Sequence, residues 1–68
     1  MRLDEYETRF EFILEMDSKQ SEKDFLLSGL MTDLERNFHV PMMKDEVWEQ
    51  ENPEVYALYQ KVANSRLL

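Results

Sequence analysis

The sequence predicts a small, mainly α-helical domain built on a helical hairpin. Residues 22–38 and 53–66 each repeat apolar side chains at helical spacing, and turn-forming residues lie between the two segments. With 68 residues the chain is expected to form one domain. A domain of this size buries only about 60 % of the surface that its unfolded chain exposes, so its margin of stability is expected to be thin.

The segment 22–38 is predicted to be the longest helix. Ser21 followed by Asp24 has the spacing of a capping box, in which two side chains bond backbone N–H groups at the start of a helix. The apolar stripe of this helix contains Leu26, Leu27, Leu30, Met31, Leu34 and Phe38. The helix is expected to end before Val40 and Pro41, because a residue that precedes proline disfavours the helical conformation.

The segment 53–66 is predicted to be the second helix of the hairpin. Asn52 is a favourable N-cap residue, and Pro53 fits the first helical position, where a backbone N–H is not needed. The apolar stripe of this helix contains Val55, Leu58, Tyr59, Val62 and Ala63. We expect this face to pack against the stripe of the first helix.

The N-terminal segment fits two structures. As a strand, residues 5–16 alternate between apolar and charged side chains. As a helix, residues 3–16 form an apolar stripe of Leu3, Tyr6, Phe10, Ile13 and Leu14, and Asp4 with Glu7 has capping-box spacing. A lone strand would leave its backbone groups unpaired within this chain and would need a second copy of the protein. We therefore predict a third helix, with a dimerising strand as the alternative.

The predicted core combines the stripes of the three helices. Its members are Phe10, Ile13, Leu14, Leu26, Leu27, Leu30, Met31, Leu34, Phe38, Val55, Leu58, Tyr59 and Val62. The chain has no cysteine and one histidine, so neither a disulfide nor a structural zinc site is expected to support this core. We expect the fold to depend on helix packing, on self-association or on docking to another protein, with no cofactor and no metal.

The charge of the chain limits its expected partners. Fifteen acidic residues against eight basic ones give a formal net charge of −7, which disfavours binding to nucleic acid phosphates and to anionic membranes. The expected partner is another protein with a basic or apolar face. The N-terminal sequence lacks the apolar core of a signal peptide, and no apolar run approaches the roughly 18 residues that a membrane-spanning helix needs, so a cytoplasmic location is expected.

The residues 38–56, FHVPMMKDEVWEQENPEVY, form the least ordinary part of the sequence. They contain both prolines, two adjacent methionines and the only tryptophan, set among several acids. One hypothesis makes Trp48, Met42 and Met43 a lid over the end of the helical hairpin. The other makes Trp48 an exposed anchor for a partner, because tryptophan is enriched at binding hot spots and methionine adapts to irregular apolar surfaces.

The functional hypothesis is a small intracellular protein-binding module that modulates its partner without catalysis. The candidate binding residues are Met42, Met43, Val47, Trp48, Glu46 and Glu49. No enzyme is expected, because the chain has one His, one Gly and no Cys, and no phosphate-binding loop. The alternatives are an acidic mimic of nucleic acid that blocks a DNA-binding protein, and a homo-oligomeric structural subunit such as a homodimer.

Overall fold

A computed structural model describes residues 2–66. Within this range the chain forms four α-helices and no strand, which confirms the predicted mainly α class and makes the dimerising-strand alternative wrong. The helices are α1 (Leu3–Glu15), α2 (Gln20–Phe38), α3 (Glu46–Glu51) and α4 (Pro53–Asn64). Helix α2 packs against both α1 and α4, and α1 also touches α4, whereas α3 contacts α4 alone among the described helices. The domain is therefore a three-helix core with a short fourth helix attached to one member. Among the described helices, none has the length and apolarity that crossing a bilayer requires.

The core lies where α1, α2 and α4 meet. Leu30, Leu34 and Val62 have essentially no exposed surface. The other buried apolar residues are Tyr6, Phe10, Ile13, Leu27, Val55 and Leu58. Around them Met31, Phe38 and Tyr59 are partly buried and pack against the core, so most of the predicted core is confirmed.

The prediction that Leu14 and Leu26 belong to the core is wrong. Leu14 and Leu26 are 44 % and 41 % exposed. Each lies one residue from a buried position, Ile13 and Leu27, and one residue turns the side chain by about 100° around a helix. The buried face of each helix is therefore narrower than the apolar stripe in the sequence.

Tyr6 is the core residue that the sequence prediction left out. Its ring meets that of Phe38 edge to face, with the ring centroids 5.3 Å apart. Its hydroxyl accepts a hydrogen bond from Nδ2 of Asn37, which satisfies a polar atom that burial would otherwise make unfavourable. This contact joins the start of α1 to the end of α2.

The capping boxes predicted for α1 and α2 are wrong. Asp4 and Ser21 both lie inside the first turn of their helices, after an N-cap residue whose side chain makes no capping hydrogen bond. Asp24 is buried instead, and its Oδ1 accepts a hydrogen bond of 2.7 Å from Nε2 of Gln20. Because Gln20 lies one turn before Asp24, this bond favours a start of α2 at Gln20 rather than after Ser21.

The exit from α2 follows the prediction. The helix ends at Phe38, and His39 takes the left-handed conformation, with φ 58° and ψ 43°. This conformation reverses the chain at a helix C-terminus. Residues 40–45 then form a connector without regular secondary structure that leads to α3 and α4.

Candidate functional site

Helix α3 is held in place at both ends by hydrogen bonds. At its N-terminus, Oδ1 of Asp45 accepts from the backbone N–H of Trp48 at 3.1 Å, and the carbonyl of Asp45 accepts from the N–H of Glu49 at 3.0 Å. At its C-terminus, the carbonyl of Trp48 accepts from both the backbone N–H and Nδ2 of Asn52, at 2.9 and 3.0 Å. A helix of six residues is too short to persist alone in water. These bonds and the contact with α4 therefore determine where Trp48 lies.

Asn52 joins α3 to α4. It is the last residue before Pro53, the predicted start of α4, and this boundary is confirmed. The sequence predicted that the side chain of Asn52 caps α4. The side chain instead donates a hydrogen bond to the carbonyl of Trp48. The amide thus fixes the turn between the two helices. The predicted end of α4 at residue 66 is two residues late, because the helix ends at Asn64.

Trp48 packs against α4 through one aromatic contact. Its ring and that of Tyr56 meet edge to face, with centroids 6.4 Å apart and an angle of 83° between the planes. Trp48 is half-buried, and α3 contains no fully buried residue. An edge-to-face aromatic pair contributes about 0.5–1.5 kcal/mol beyond the area that it buries. The attachment of α3 is therefore modest compared with the packing of the core.

An open cleft of about 300 Å³ lies between the connector and α4. One side is formed by residues 40–44, and the other by Tyr56, Tyr59 and Gln60; Trp48 and Glu49 also line it. We call this surface the connector cleft. Its lining combines aromatic rings, methionines and a few polar groups, which is typical of a binding site.

The connector cleft brings together four of the six predicted site residues. Met42, Met43, Trp48 and Glu49 line it, whereas Val47 and Glu46 do not, although both are exposed on α3. Met42 and Met43 are 102 % and 83 % exposed, so they do not cover the core as the lid hypothesis requires. Trp48 is a half-buried wall of the cleft rather than a protruding anchor. The structure therefore matches neither hypothesis in full.

The α4 side of the connector cleft contains residues that the sequence analysis did not assign to the site. Tyr59 donates a hydrogen bond to the carboxylate of Glu35 on α2, and Nε2 of Gln60 donates to the hydroxyl of Tyr56 at 3.0 Å. The pKa of Tyr59 is raised from 10.0 to about 12, mainly because the hydroxyl is partly buried and secondly because it donates the hydrogen bond to Glu35. Tyr59 is therefore a neutral hydrogen-bond donor throughout the physiological pH range. A tyrosine pair three residues apart beside a Pro-Met-Trp segment was the signal available in the sequence.

Opposite charges meet at the edge of the connector cleft. Nζ of Lys44 lies 3.5 Å from Oε1 of Glu49, and the two side chains are 68 % and 18 % exposed. This distance is longer than the roughly 2.8 Å typical of a charge-assisted hydrogen bond. Asp45 and Glu46, which are both exposed, follow Lys44 directly in the chain and carry further negative charge. The cleft therefore combines a mixed apolar and polar lining with neighbouring acidic residues and one loosely held cation.

A second apolar surface lies between α1 and α2. Phe12 and Leu26 are exposed there, and together with Met16 they line an open groove of about 390 Å³ above Ile13. We call this groove, lined by Phe12, Met16 and Leu26, the α1–α2 groove. Phe25 is also exposed on α2 but does not line the groove. The apolar periodicity did not predict this groove, because it predicted Leu26 in the core.

No match is found when the chain is compared with models of known protein families, with curated proteins and with solved structures. Within residues 2–66, no group of three or more His, Asp or Glu side chains is arranged to hold a metal ion.

Proposed function

We propose that the protein is a small acidic interaction module of the cytoplasm, which binds another protein at the connector cleft and modulates it without catalysis. The observation that carries the proposal is the exposure of Met42 and Met43 beside the aromatic walls of the cleft. Two adjacent, almost fully exposed methionines leave apolar side chains in contact with water, which is unfavourable. Burial against a partner would remove this apolar surface from water.

The energetic gain from such burial is substantial. Fully burying one methionine side chain stabilises a complex by about 1.5–3 kcal/mol. Methionine also adapts its shape, since it has three rotatable side-chain bonds and a polarisable sulfur. Trp48 and the tyrosines of α4 add the residue types that are enriched at binding hot spots. The cleft alone is small, so the interface is expected to extend beyond it towards the roughly 800 Å² per partner of a standard complex.

The charge distribution supports a partner with a basic rim. The net charge of −7 attracts such a face at long range, and the acids beside the connector cleft place negative charge where the partner would dock. The acidic-mimic alternative gains less support. The carboxylates are spread over all four helices, whereas a mimic needs them in a row at the spacing of phosphates.

The α1–α2 groove supports the homo-oligomer alternative. Phe12 and Leu26 place exposed apolar surface in this groove, and Phe25 is a further exposed apolar side chain of α2. This groove and the connector cleft can be separated by mutation, since they share no lining residue.

The test is affinity capture from native extract followed by mass spectrometry, with Met42→Ser and Trp48→Ala as the site variants. We expect the wild-type chain to retain a protein that both variants lose. Met42→Ser is the sharper variant, because a side chain that is fully exposed can be replaced without loss of packing. The matched control is Phe12→Ser, which removes an exposed apolar side chain from the α1–α2 groove.

Three outcomes of the capture experiment contradict the proposal. A partner retained equally by wild type and Met42→Ser would remove the connector cleft from the interface. Loss of the partner in Phe12→Ser alone would move the interface to the α1–α2 groove. Binding that collapses as salt rises, with no dependence on Met42, would favour the acidic mimic, because screening weakens charge pairs much more than apolar contacts.

A further inference from the structure

We propose that the connector cleft recognises an arginine side chain of its partner, and that this arginine displaces Lys44 from the carboxylate of Glu49. The inference rests on the proposed function and specifies the chemistry of the partner. Its basis is the combination of a carboxylate on a largely packed side chain, a loosely bound internal cation and aromatic walls in one cleft.

Glu49 supplies the negative charge in the lining of the cleft. Its side chain is only 18 % exposed, while its contact with Lys44 lies at the exposed edge of the cleft. The carboxylate is therefore held in a fixed position beside the cleft and remains accessible to a cation from a partner. Among the described residues, the ion pair of Glu49 is with Lys44, at a distance of 3.5 Å.

Lys44 is a weak partner for this carboxylate. Its side chain is 68 % exposed and belongs to the irregular connector, so holding it in one position costs conformational entropy. Ion pairs with one such exposed and mobile partner contribute little to stability. A cation that forms a shorter and more directional bond therefore competes successfully with Lys44.

Arginine fits the rest of the cleft better than lysine does. Its planar guanidinium can donate two parallel hydrogen bonds to one carboxylate and can also stack on aromatic rings. Trp48, Tyr56 and Tyr59 supply rings in the same cleft as Glu49. An ammonium group is more strongly hydrated and gains less from such an apolar lining.

Lys44 then acts as an internal competitor. In the free protein it neutralises part of the charge on Glu49, and in the complex it moves into solvent, where it is already largely exposed. Removing the charge of Lys44 should therefore strengthen binding by more than a change of one unit in net charge would. Removing the carboxylate of Glu49 should abolish the preference for arginine.

The test uses two immobilised libraries of octapeptides that differ only at a fixed central residue, arginine in one and its neutral isostere citrulline in the other. Binding of single peptides from each library is followed by the fluorescence of Trp48, which is the only tryptophan in the chain and lines the cleft. We expect the wild type to bind arginine peptides about tenfold more tightly than their citrulline counterparts, as for one good charge-assisted bond. Glu49→Gln should remove this difference, and Lys44→Gln should increase it severalfold.

Matched controls separate a local effect from a change in net charge. Lys19→Gln and Glu11→Gln alter the same charges at exposed positions outside the cleft and should leave the arginine preference unchanged. If wild type binds both libraries equally, or if Lys19→Gln strengthens binding as much as Lys44→Gln, arginine recognition at Glu49 is wrong. The proposed function survives that result if peptide binding still depends on Met42. It fails separately if no peptide or protein binds in a manner that depends on Met42.

Discussion

Replacing Leu34 with alanine is expected to leave the chain largely unfolded at room temperature. Leu34 has essentially no exposed surface at the centre of the three-helix core. Truncating a leucine at such a position destabilises proteins by about 2–5 kcal/mol, because it removes apolar contacts and leaves a cavity. A core in a domain of this size rarely supplies more than about 3–5 kcal/mol in total. Circular dichroism with urea titration measures the loss.

The matched control for Leu34→Ala is Leu26→Ala on the same helix. Leu26 belongs to the apolar stripe in the sequence but is 41 % exposed, so its truncation should cost less than about 1 kcal/mol. Both leucines belong to the apolar stripe predicted from the sequence, but only Leu34 is buried, so the comparison shows whether burial or membership of the stripe determines the loss of stability. Equal destabilisation by the two substitutions would contradict the packing of α2, in which Leu34 is buried and Leu26 is not.

Replacing Trp48 with alanine is expected to leave the three-helix core folded. Trp48 lies on α3, which has no fully buried residue and contacts α4 alone among the described helices. The substitution removes the aromatic contact with Tyr56 and weakens the docking of α3. Its effect on the core is limited, because a segment with so few contacts can open locally without global unfolding. Far-ultraviolet circular dichroism should show a loss no larger than the share of one six-residue helix.

The control for Trp48→Ala is Tyr6→Ala, which removes an aromatic residue that the core does bury. Tyr6→Ala should lose most of its helical signal, since large-to-small changes at buried aromatic residues cost about 3–5 kcal/mol. If Trp48→Ala unfolds as extensively as Tyr6→Ala, then Trp48 is part of the core. In that case the lid hypothesis would be correct for Trp48, though not for the exposed Met42 and Met43, and loss of a partner in this variant would carry no information about binding.

The long-range organisation of the fold could be predicted because helical periodicity records burial. The stripes of 22–38 and 53–66 identified the two helices of the hairpin, and Pro53 fixed the start of α4. The N-terminal segment was harder, since its side chains fit both periods. The need of a lone strand for a partner outside the chain decided in favour of the helix that is observed.

Local details were harder to predict, because several side chains compete for the same role. Ser21 and Asp24 have the spacing of a capping box, but the pairing of Asp24 with Gln20 moves the helix start. Periodicity also defines the direction of a buried face better than its width. Leu14 and Leu26 therefore fell inside the predicted core, whereas Tyr6 was omitted.

One side of the connector cleft could be predicted from local composition, and the other side could not. The prolines, methionines and tryptophan of residues 38–56 marked one side of it. The other side comes from Tyr56, Tyr59 and Gln60, whose place in the cleft depends on how α4 packs. The contact of Lys44 with Glu49 depends in turn on the cap that Asp45 provides to α3. Such contacts follow from the fold and are not visible as a pattern in the sequence.

The independence of α3 from the three-helix core is tested most directly by native-state amide hydrogen exchange of the free protein. The amides of Leu30, Leu34 and Val62 should exchange only through global unfolding, because their helices are joined by the buried core. The amides of Glu49 to Glu51 in α3 should exchange at least about 100-fold faster, through local detachment from α4. If the α3 amides exchange as slowly as the core amides, α3 unfolds only together with the three-helix core. That result would contradict the claim that the core stabilises the fold while α3 remains available for binding.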